Sequence, residues 1–410
     1  MIELVTNNHI RPPKITVIGV GGAGGNAINS MISSGISGVE FVVANTDAKD
    51  LNKSQASIKL QLGANLTNGL GAGGKPEIGQ EAAQESKEAI SNLLKDTNML
   101  IISAGMGGGT GTGAAPIIAS IANKAEILTM AIVSLPYDFE GNQRKESAKK
   151  GVEELAKVVD SLIVFPNNRI SKLFKVPLFE AFKKTDEIIA NSTQAIVEIV
   201  NGTGYINLDF ADIEAVLTKS GYSLIGTGEA TGDDRAIKAA EQALTNPLLA
   251  DMDLSGCKSL IVNAVMGTDL MPSEFDQIME IIIHATGKSG NIKPGITFDK
   301  AMDGKAKVTV IATGLSPSDA VKALESDIEL QKPIIDSVPE KHVIPPFILE
   351  PIQNDQNTKS EFIDILDRIK NNSFDLITTG ESKDNNISTS ISNQIYGTTE
   401  PPAFLKKQFS

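Results

Sequence analysis

Glycine is concentrated in one short segment, AGMGGGTGTGAAP (residues 104–116), in which six of the nine residues from 105 to 113 are glycine. The apolar run NMLIISA before it predicts a buried strand, and AAPIIASIANKA predicts a helix. Glycine is costly to order and adds no side chain to pack. It does let backbone N–H groups approach an anion at a helix N-terminus. With the hydroxyl groups of Thr110 and Thr112, the segment therefore predicts a phosphate-binding turn.

A second glycine segment, GVGGAGGN (residues 19–26), also follows a predicted strand and precedes a predicted helix. Its Gly19, Gly21 and Gly24 match the dinucleotide-binding pattern G-x-G-x-x-G, and Asp47 lies where that fold places an acid for the ribose. The pattern alone leaves a tight turn without a ligand as an alternative. A dinucleotide fold needs one such segment, whereas two on one sheet edge suit a chain of phosphates held from both sides.

A third segment, GLGAGGK (residues 69–75), matches the first seven positions of a P-loop. The eighth position is Pro76, which has neither the N–H nor the hydroxyl group that this motif uses for phosphate and Mg²⁺. We therefore expect this segment to be at most a loop beside the ligand.

Other candidate residues have structural explanations of their own. Asp209 is a plausible N-cap and Asp212 follows in the same first helical turn, where both carboxylates favour a positive helix end. His284 lies in the last turn of a predicted helix, a favoured place for histidine. Cys257 is expected to be a small residue at the entrance of a strand.

Composition narrows the class of protein. The 410 residues are 41% hydrophobic, so a sizeable core is available, and a net charge of −13 argues against wrapping nucleic acid. We expect no membrane span, because no apolar run reaches about 18 residues, and the N-terminus lacks the layout of a signal peptide. One cysteine excludes an internal disulfide and suits a reducing cytosol, while three histidines argue against a zinc site.

Strands alternate with helices over the first 180 residues, which predicts a parallel sheet covered on both faces, with its ligand at the carboxyl ends of the strands. A long helix at about 178–200 and an α+β region follow. Only Gly380 and Gly397 of the 36 glycines lie beyond position 315, where the sequence becomes polar. The predicted organisation is listed by residue range: a flexible extension at 1–14, a ligand-binding domain at 15–178, a central helix at 179–200, a second domain at 201–316, a disordered linker at 317–398 and a terminal peptide at 399–410.

The motifs together resemble the FtsZ family of bacterial cell-division GTPases, within the tubulin/FtsZ superfamily. The likeness covers about residues 15–314, resumes at the C-terminus, and includes GVGGAGGNA, NTDA, GLGAG, AGMGGGTGTGAAP, DFEGNQR, NLDFADI, GTGEATGDDRA and NPLL. It implies a tubulin-like fold: a Rossmann-like parallel-sheet GTPase domain joined by a central helix to an α+β C-terminal domain, then a disordered tail. The resemblance also implies that the protein hydrolyses GTP.

The resemblance also implies which residues contact GTP. Glu140 and Arg144 would hold the ribose, Phe182 would pack on the guanine, and Asp186 occupies the position that reads its polar edge. The family usually carries Asn at that position, and Lys183 and Lys184 replace small residues. The residues expected against the rest of the nucleotide are Gly21, Gly22, Ala23, Gly24, Gly25, Asn26, Gly107, Gly108, Gly109, Thr110, Gly111, Thr112 and Gly113.

The same resemblance assigns catalysis to Asn207, Asp209 and Asp212, which would enter the nucleotide site of the next subunit. The implied assembly is a head-to-tail homopolymer that forms the division ring at the future septum and hydrolyses GTP at its junctions. No acidic cage for Mg²⁺ is evident in the sequence, so the ion is expected on phosphates and water, with no metal ligand from the protein.

The terminal segment EPPAFLKKQ (residues 400–408) carries Phe404 and Leu405 next to two lysines. It resembles the family's C-terminal peptide, which docks onto membrane-tethering division proteins such as FtsA. This places the protein in the cytoplasm, at the division site near the inner membrane, without direct membrane insertion and without nucleic acid. A frayed terminus is the alternative.

Two other functions remain to be separated from this one. The first is an NAD(P)-dependent oxidoreductase, based on Gly19, Gly21, Gly24 and Asp47, which explains neither the second glycine segment nor the terminal peptide. The second is a structural relative of the family that does not hydrolyse nucleotide, against which both Asp209 and Asp212 argue.

Overall fold

The computed structural model describes residues 12–173, 175–202, 204–206, 208–245, 254–287 and 291–315. The predicted linker at 317–398, the terminal peptide at 399–410, most of the N-terminal extension and Asn207 lie outside these residues. Among the described residues no helix is both long and apolar enough to cross a membrane.

The first half of the sheet is parallel, as predicted, with strand order β3-β2-β1-β4-β5-β6. Its strands are β1 (Ile15–Val20), β2 (Glu40–Asn45), β3 (Ile58–Gln61), β4 (Met99–Gly105), β5 (Leu128–Leu135) and β6 (Ser161–Pro166). The helices around it are α1 (Gly21–Ser33), α2 (Ala48–Lys53), α3 (Ala64–Thr67), α4 (Pro76–Glu85), α5 (Lys87–Leu93), α6 (Thr110–Lys124), α7 (Asn142–Ala156) and α8 (Asn167–Leu173).

Every residue of β1 is buried, because helices cover both faces of the sheet. Ile15 and Val17 pack into the core on one face, while Ile18 and Val20 pack into a second core on the other. This alternation follows from the two-residue period of a strand. Burial on both faces explains why β1 and β4 are almost entirely apolar, with only Thr16 and Ser103 as polar side chains, and why they were predicted from the sequence.

The second half contains the long helix α9 (Leu178–Asn201) and a mixed sheet. Its remaining elements are α10 (Phe210–Leu217), β7 (Gly221–Thr231), α11 (Arg235–Leu244), β8 (Ser259–Met266), α12 (Pro272–Ala285), β9 (Asn291–Phe298) and β10 (Lys305–Leu315). The sheet continues as β6-β7-β10-β8-β9, with β10 antiparallel to β7 and β8. This confirms the α+β class. In the described sheet, β6 of the first half pairs with β7 of the second at Ser161–Gly221 and Leu162–Tyr222.

Three sequence expectations need correction. The helix predicted as one piece from Pro76 is divided at Ser86, whose hydroxyl group receives a hydrogen bond from the N–H of Gly63 at 3.0 Å. Helix α6 begins at Thr110 and α1 at Gly21, so much of each glycine segment forms the first turns of a helix. Strands β3, β6, β7 and β9 were not predicted.

Candidate functional site

A cavity of about 640 Å³ opens at the carboxyl ends of the parallel strands. Val20, Asn45, Ala104 and Ser134, at the ends of β1, β2, β4 and β5, line its floor. Open α/β sheets bind their ligands at this edge. The predicted location of the site is therefore occupied by a cavity of suitable size for a small ligand.

The glycines of the two segments have two different functions. A β-carbon on Gly24 would overlap the carbonyl oxygen of Ser103, and one on Gly111 would overlap that of Gly105. These glycines are required where a helix packs closely on a strand end. Gly108, in contrast, has no atom within 4 Å of the position where its β-carbon would be, and it lines the cavity.

Hydroxyl groups hold the turn before α6 in place. The side-chain oxygens of Thr46 and Thr110 lie 2.7 Å apart in a buried hydrogen bond, which joins the end of β2 to the first turn of α6. The N–H of Gly107 donates to the hydroxyl group of Thr112 at 2.8 Å. Gly107 has a φ of 96°, a conformation that favours glycine. The turn is fixed by the protein itself and not only by a ligand.

Phe182, Glu140 and Arg144 form a further wall of the cavity, the aromatic wall, and Tyr137 and Phe139 pack next to it without lining the cavity. Phe182 meets Tyr137 edge-on, with ring centroids 5.2 Å apart, and Tyr137 stacks on Phe139 at 5.1 Å. Glu140 accepts a hydrogen bond from the N–H of Tyr137 at 2.9 Å and forms an ion pair with Arg144. A half-exposed ring beside a paired acid and base suits a planar, polar ligand.

Asp186 faces the same wall from α9. Burial, with a smaller contribution from the charge of Glu187, raises the pKa of Asp186 to about 7. Lys183 and Lys184 are not among the residues that line the cavity, and they pair with Glu180 and Glu187 on their own helix. The carboxyl group of Asp186 can therefore change its charge near neutral pH.

The cavity unites most of the residues predicted to contact nucleotide. Those that line it are Gly21, Gly22, Ala23, Asn26, Gly108, Gly109, Thr110, Gly111, Glu140, Arg144, Phe182 and Asp186. Those that do not are Gly24, Gly25, Gly107, Thr112 and Gly113. The predicted site did not include Asn45, Thr46, Asn167 and Thr185, which also line the cavity. Asn45 and Thr46 lie in the NTDA segment at the end of β2 and could have been found from that position, whereas Asn167 and Thr185 lie in no motif quoted above.

The predicted catalytic acids lie outside this cavity. Asp209 is the N-cap of α10, as predicted, and its carboxylate accepts a hydrogen bond from the N–H of Asp212 at 2.7 Å. Asp212 forms an ion pair with Lys293 of β9 at 2.8 Å. The hydrogen bond from the Lys293 ammonium group lowers the pKa of Asp212. Neither aspartate lines the cavity of its own chain.

Carboxylates near the cavity do not form a metal cage. In the part of the chain that the structure describes, no group of three or more His, Cys, Asp or Glu side chains could hold a metal ion. Asp47 lines the cavity, but its carboxylate accepts hydrogen bonds from the N–H groups of Lys49 and Asp50 and caps α2. That capping role explains why an aspartate stands at position 47 without any contact to a ribose. His284 lies in the last turn of α12, and Cys257 is buried in the core of the second half, close to the start of β8, as expected for both.

A parallel sheet with two glycine turns at its carboxyl edge, an aromatic wall and an attached α+β half defines a nucleotide-binding α/β protein. Residues 14–175 match the model of the tubulin/FtsZ family GTPase domain, and residues 221–316 match that of the FtsZ family C-terminal domain. The chain therefore belongs to the FtsZ family, within the tubulin/FtsZ superfamily.

Individual relatives agree with this assignment. The chain is 47% identical over 317 residues to the cell division protein FtsZ of Wolbachia sp, covering 74% of this chain and 80% of that protein. It is 40% identical over 403 residues to the cell division protein FtsZ of Rickettsia felis, covering 98% and 88%. The empty FtsZ dimer of M. jannaschii is 39% identical, with a TM-score of 0.69 over 74% of this chain and 89% of that one.

Membership of this family makes the protein a polymerising GTPase of cell division with a tubulin-like fold. The tubulin/FtsZ resemblance is thereby confirmed, together with the expected fold class and enzymatic activity. The oxidoreductase alternative is wrong, and so is the alternative of a relative without GTPase activity.

Proposed function

We propose that GTP occupies the 640 Å³ cavity and is hydrolysed by carboxylates from the next copy of the chain in a head-to-tail filament. The observation that carries this proposal is that the residues suited to bind the nucleotide and the carboxylates suited to hydrolyse it lie at different places on the chain. Glu140 and Phe182 line the cavity, whereas Asp209 and Asp212 do not. A contact between unlike surfaces that does not close on itself produces a filament, so each junction would complete one site.

Each wall of the cavity takes one part of the nucleotide. The backbone of the turn at residues 105–111 binds the phosphates at the positive end of α6. Glu140 and Arg144 hold the ribose, and Phe182 packs on the base. The carboxylate of Asp186 accepts hydrogen bonds from the polar edge of guanine, a pattern of donors that adenine does not offer.

Hydrolysis then depends on positioning more than on a covalent nucleophile. Asp209 and Asp212, with Asn207, orient the water that attacks the γ-phosphate of the neighbouring subunit. Mg²⁺, when bound, would be held by phosphate oxygens and water and would neutralise part of the phosphate charge, with no carboxylate cage from the described residues. The isolated chain has the nucleotide but not the acids at the same place, so its turnover should be low.

Exposed apolar side chains mark both surfaces of such a junction. Leu70 lines the cavity and is 85% exposed, and Phe139, which stacks on Tyr137 next to Phe182, is 64% exposed. Tyr205, close in sequence to the acids, is 86% exposed and packs edge-on against Phe298. Exposed apolar groups at two separate places suit a contact with another protein.

The finer assignments belong to the same proposal. Residues 15–178 form the GTP-binding domain, 179–200 the central helix and 201–316 the C-terminal activation domain. The peptide at 400–408 docks onto a membrane-tethering division protein such as FtsA and holds the filaments at the division site, near the inner membrane.

The test is phosphate release from GTP as a function of protein concentration, with light scattering recorded in parallel and with GDP and ATP as controls. A site shared between subunits requires the rate per chain to rise with concentration and with scattering. A rate per chain that stays constant down to high dilution would contradict the proposal.

Variants of α10 test the catalytic assignment. Asp212→Ala should retain GTP binding and lose turnover. The matched control is Glu214→Ala, which removes an exposed acid from the same helix and should hydrolyse GTP as the wild type does. Loss of GTP binding in D212A would count against the assignment.

A further inference from the structure

The segment that carries the acids is attached to strand β9 at three successive points. Ile206 pairs with Ile296, whose N–H donates to the carbonyl oxygen of Ile206 at 3.0 Å. The side chain of Leu208 occupies the space beside Gly295, where a β-carbon would approach it to 2.8 Å. Thus, as the chain advances towards Asp209, its contacts move back along β9.

The third point is the ion pair between Asp212 and Lys293, with Nζ 2.8 Å from Oδ1. Residues 293 and 295 of a strand point to the same face, so Lys293 lies on the face that Leu208 covers. Both side chains of the pair are about one-third exposed, Lys293 34% and Asp212 32%. The pair is therefore accessible to solvent and to an incoming subunit, while strand β9 holds the backbone of Lys293 in place.

We propose that Lys293 is a positioning residue for GTP hydrolysis, which holds the Asp212 carboxylate on β9 in the orientation presented to the neighbouring subunit. The inference rests on the proposed function of Asp212. A carboxylate on a short helix has free rotamers, and a hydrogen bond from a cation on a second element removes that freedom before the junction forms.

The charge of Lys293 has a second consequence. Asp209 and Asp212 must approach a polyanionic triphosphate, and an ammonium group beside them offsets part of the repulsion. The interaction with both acids raises the pKa of Lys293, with the hydrogen bond to Asp212 as the largest cause, so the ammonium group stays charged at neutral pH. The motif-based prediction of the site did not include Lys293, which is 81 positions from its partner.

The test uses the full chain with Lys293→Gln and Lys293→Arg. Phosphate release is measured at saturating protein, with GTP affinity and with sedimentation of filaments formed on a slowly hydrolysed GTP analogue. We expect K293Q to lower kcat about tenfold, at unchanged GTP affinity and filament mass. K293R keeps the charge and the hydrogen bond and should restore most of the rate.

The matched control is Lys307→Gln, which removes a similar ion pair, between Lys307 and Glu198 at 2.6 Å, with side chains 22% and 33% exposed. K307Q should hydrolyse GTP at the wild-type rate. Thermal unfolding of each variant reports on folding, and Lys293→Met replaces K293Q if the latter does not fold.

The outcomes separate this inference from the proposed function. If D212A is inactive but K293Q hydrolyses GTP at the wild-type rate, only the role of Lys293 is overturned. The role is also overturned if K293Q loses filaments together with turnover, or if K293R is as slow as K293Q. If D212A itself hydrolyses GTP normally, the catalytic assignment is wrong and the role of Lys293 is lost with it.

Discussion

Gly113 and Pro76 lie so close that a β-carbon on Gly113 would overlap the carbonyl oxygen of Pro76. This contact joins the first residue of α4 to the first turn of α6, where the two helices pack together. We predict that Gly113→Ala lowers the free energy of unfolding by about 3 kcal/mol, because a backbone carbonyl cannot move aside as a side chain can. Urea denaturation of the nucleotide-free protein measures this.

Gly108 provides the comparison, since a β-carbon there has no neighbour within 4 Å. Gly108→Ala should leave the unfolding midpoint unchanged and weaken GTP binding about tenfold, because the added methyl group stands where the phosphates approach the backbone. If G108A unfolds at lower urea and G113A does not, the division of the glycines into packing and ligand positions is wrong.

Protonation of Asp186 should control GTP affinity near neutral pH. Its pKa is raised to about 7, so the ionised form, which accepts hydrogen bonds from guanine, is lost as the pH falls through 7. Calorimetric titration with GTP should show affinity rising from pH 6 to pH 8 in the wild type. Asp186→Asn should be nearly insensitive to pH, while Asp50→Asn, which removes another carboxylate that lines the cavity, should behave as the wild type.

The same group affects stability in the opposite direction. Because the folded pKa of Asp186 lies above the usual aspartate value of 3.8, the nucleotide-free protein loses stability from this group as the pH rises from about 4 to about 7. D186N should therefore be the more stable protein at pH 8, and the difference should vanish near pH 3. Thermal unfolding across this range checks the sign, and a wild type more stable than D186N at pH 8 would contradict it.

Tyr205 and Phe298 should contribute to assembly and not to nucleotide binding. Tyr205 is 86% exposed and its ring lies 5.8 Å from that of Phe298. Burying such a ring at a junction is worth about 1–2 kcal/mol, so Tyr205→Ser should raise the critical concentration for light scattering about tenfold. Tyr205→Phe keeps the ring and is the control. Equal critical concentrations for Y205S and the wild type would place the junction elsewhere.

Arg235 should be important for the stability of the second half. Its side chain is 7% exposed and contacts Asp269 at 2.6 Å and Glu274 at 2.8 Å. Arg235→Met removes the shared cation and should lower the melting temperature by about 4 °C at pH 7. The pKa of each acid is lowered by the hydrogen bond from Arg235, so the deficit should shrink as the pH falls below 4. A deficit that is the same at pH 7 and pH 3.5 would exclude this cause.

Apolar continuity explains which strands the sequence revealed. Strands β1, β4, β5 and β8 are buried almost throughout and contain nearly continuous aliphatic runs. Two of the strands that were missed lack this signal: β7 contains three glycines, and β9 contains Lys293, Pro294 and Gly295. Strand β6, SLIVFP, was missed although it is apolar and largely buried. β9 is the last strand of the described sheet, where proline is tolerated and burial is partial.

The residues of the site also divide into those that the sequence predicted and those that it did not. Glycine motifs and helix starts predicted the turns that line the cavity, because their backbone geometry demands particular residue types. Asn167 and Thr185 are ordinary residues that the fold brings to the cavity, and no local pattern marks them. Lys293 contacts Asp212 only because β9 lies beside α10, a relationship of topology that spacing along the chain does not contain.

The placement of Asp209 and Asp212 away from the cavity of their own chain has a consequence for any row of subunits built on the proposed junction. A filament has one fewer complete site, a nucleotide together with the acids of a neighbouring subunit, than it has subunits. The nucleotide on one terminal subunit is never reached by acids, and the acids of the opposite terminal subunit reach no nucleotide. The two tips are thus chemically unlike from the first dimer onward, and growth and shortening at them have no reason to proceed at equal rates.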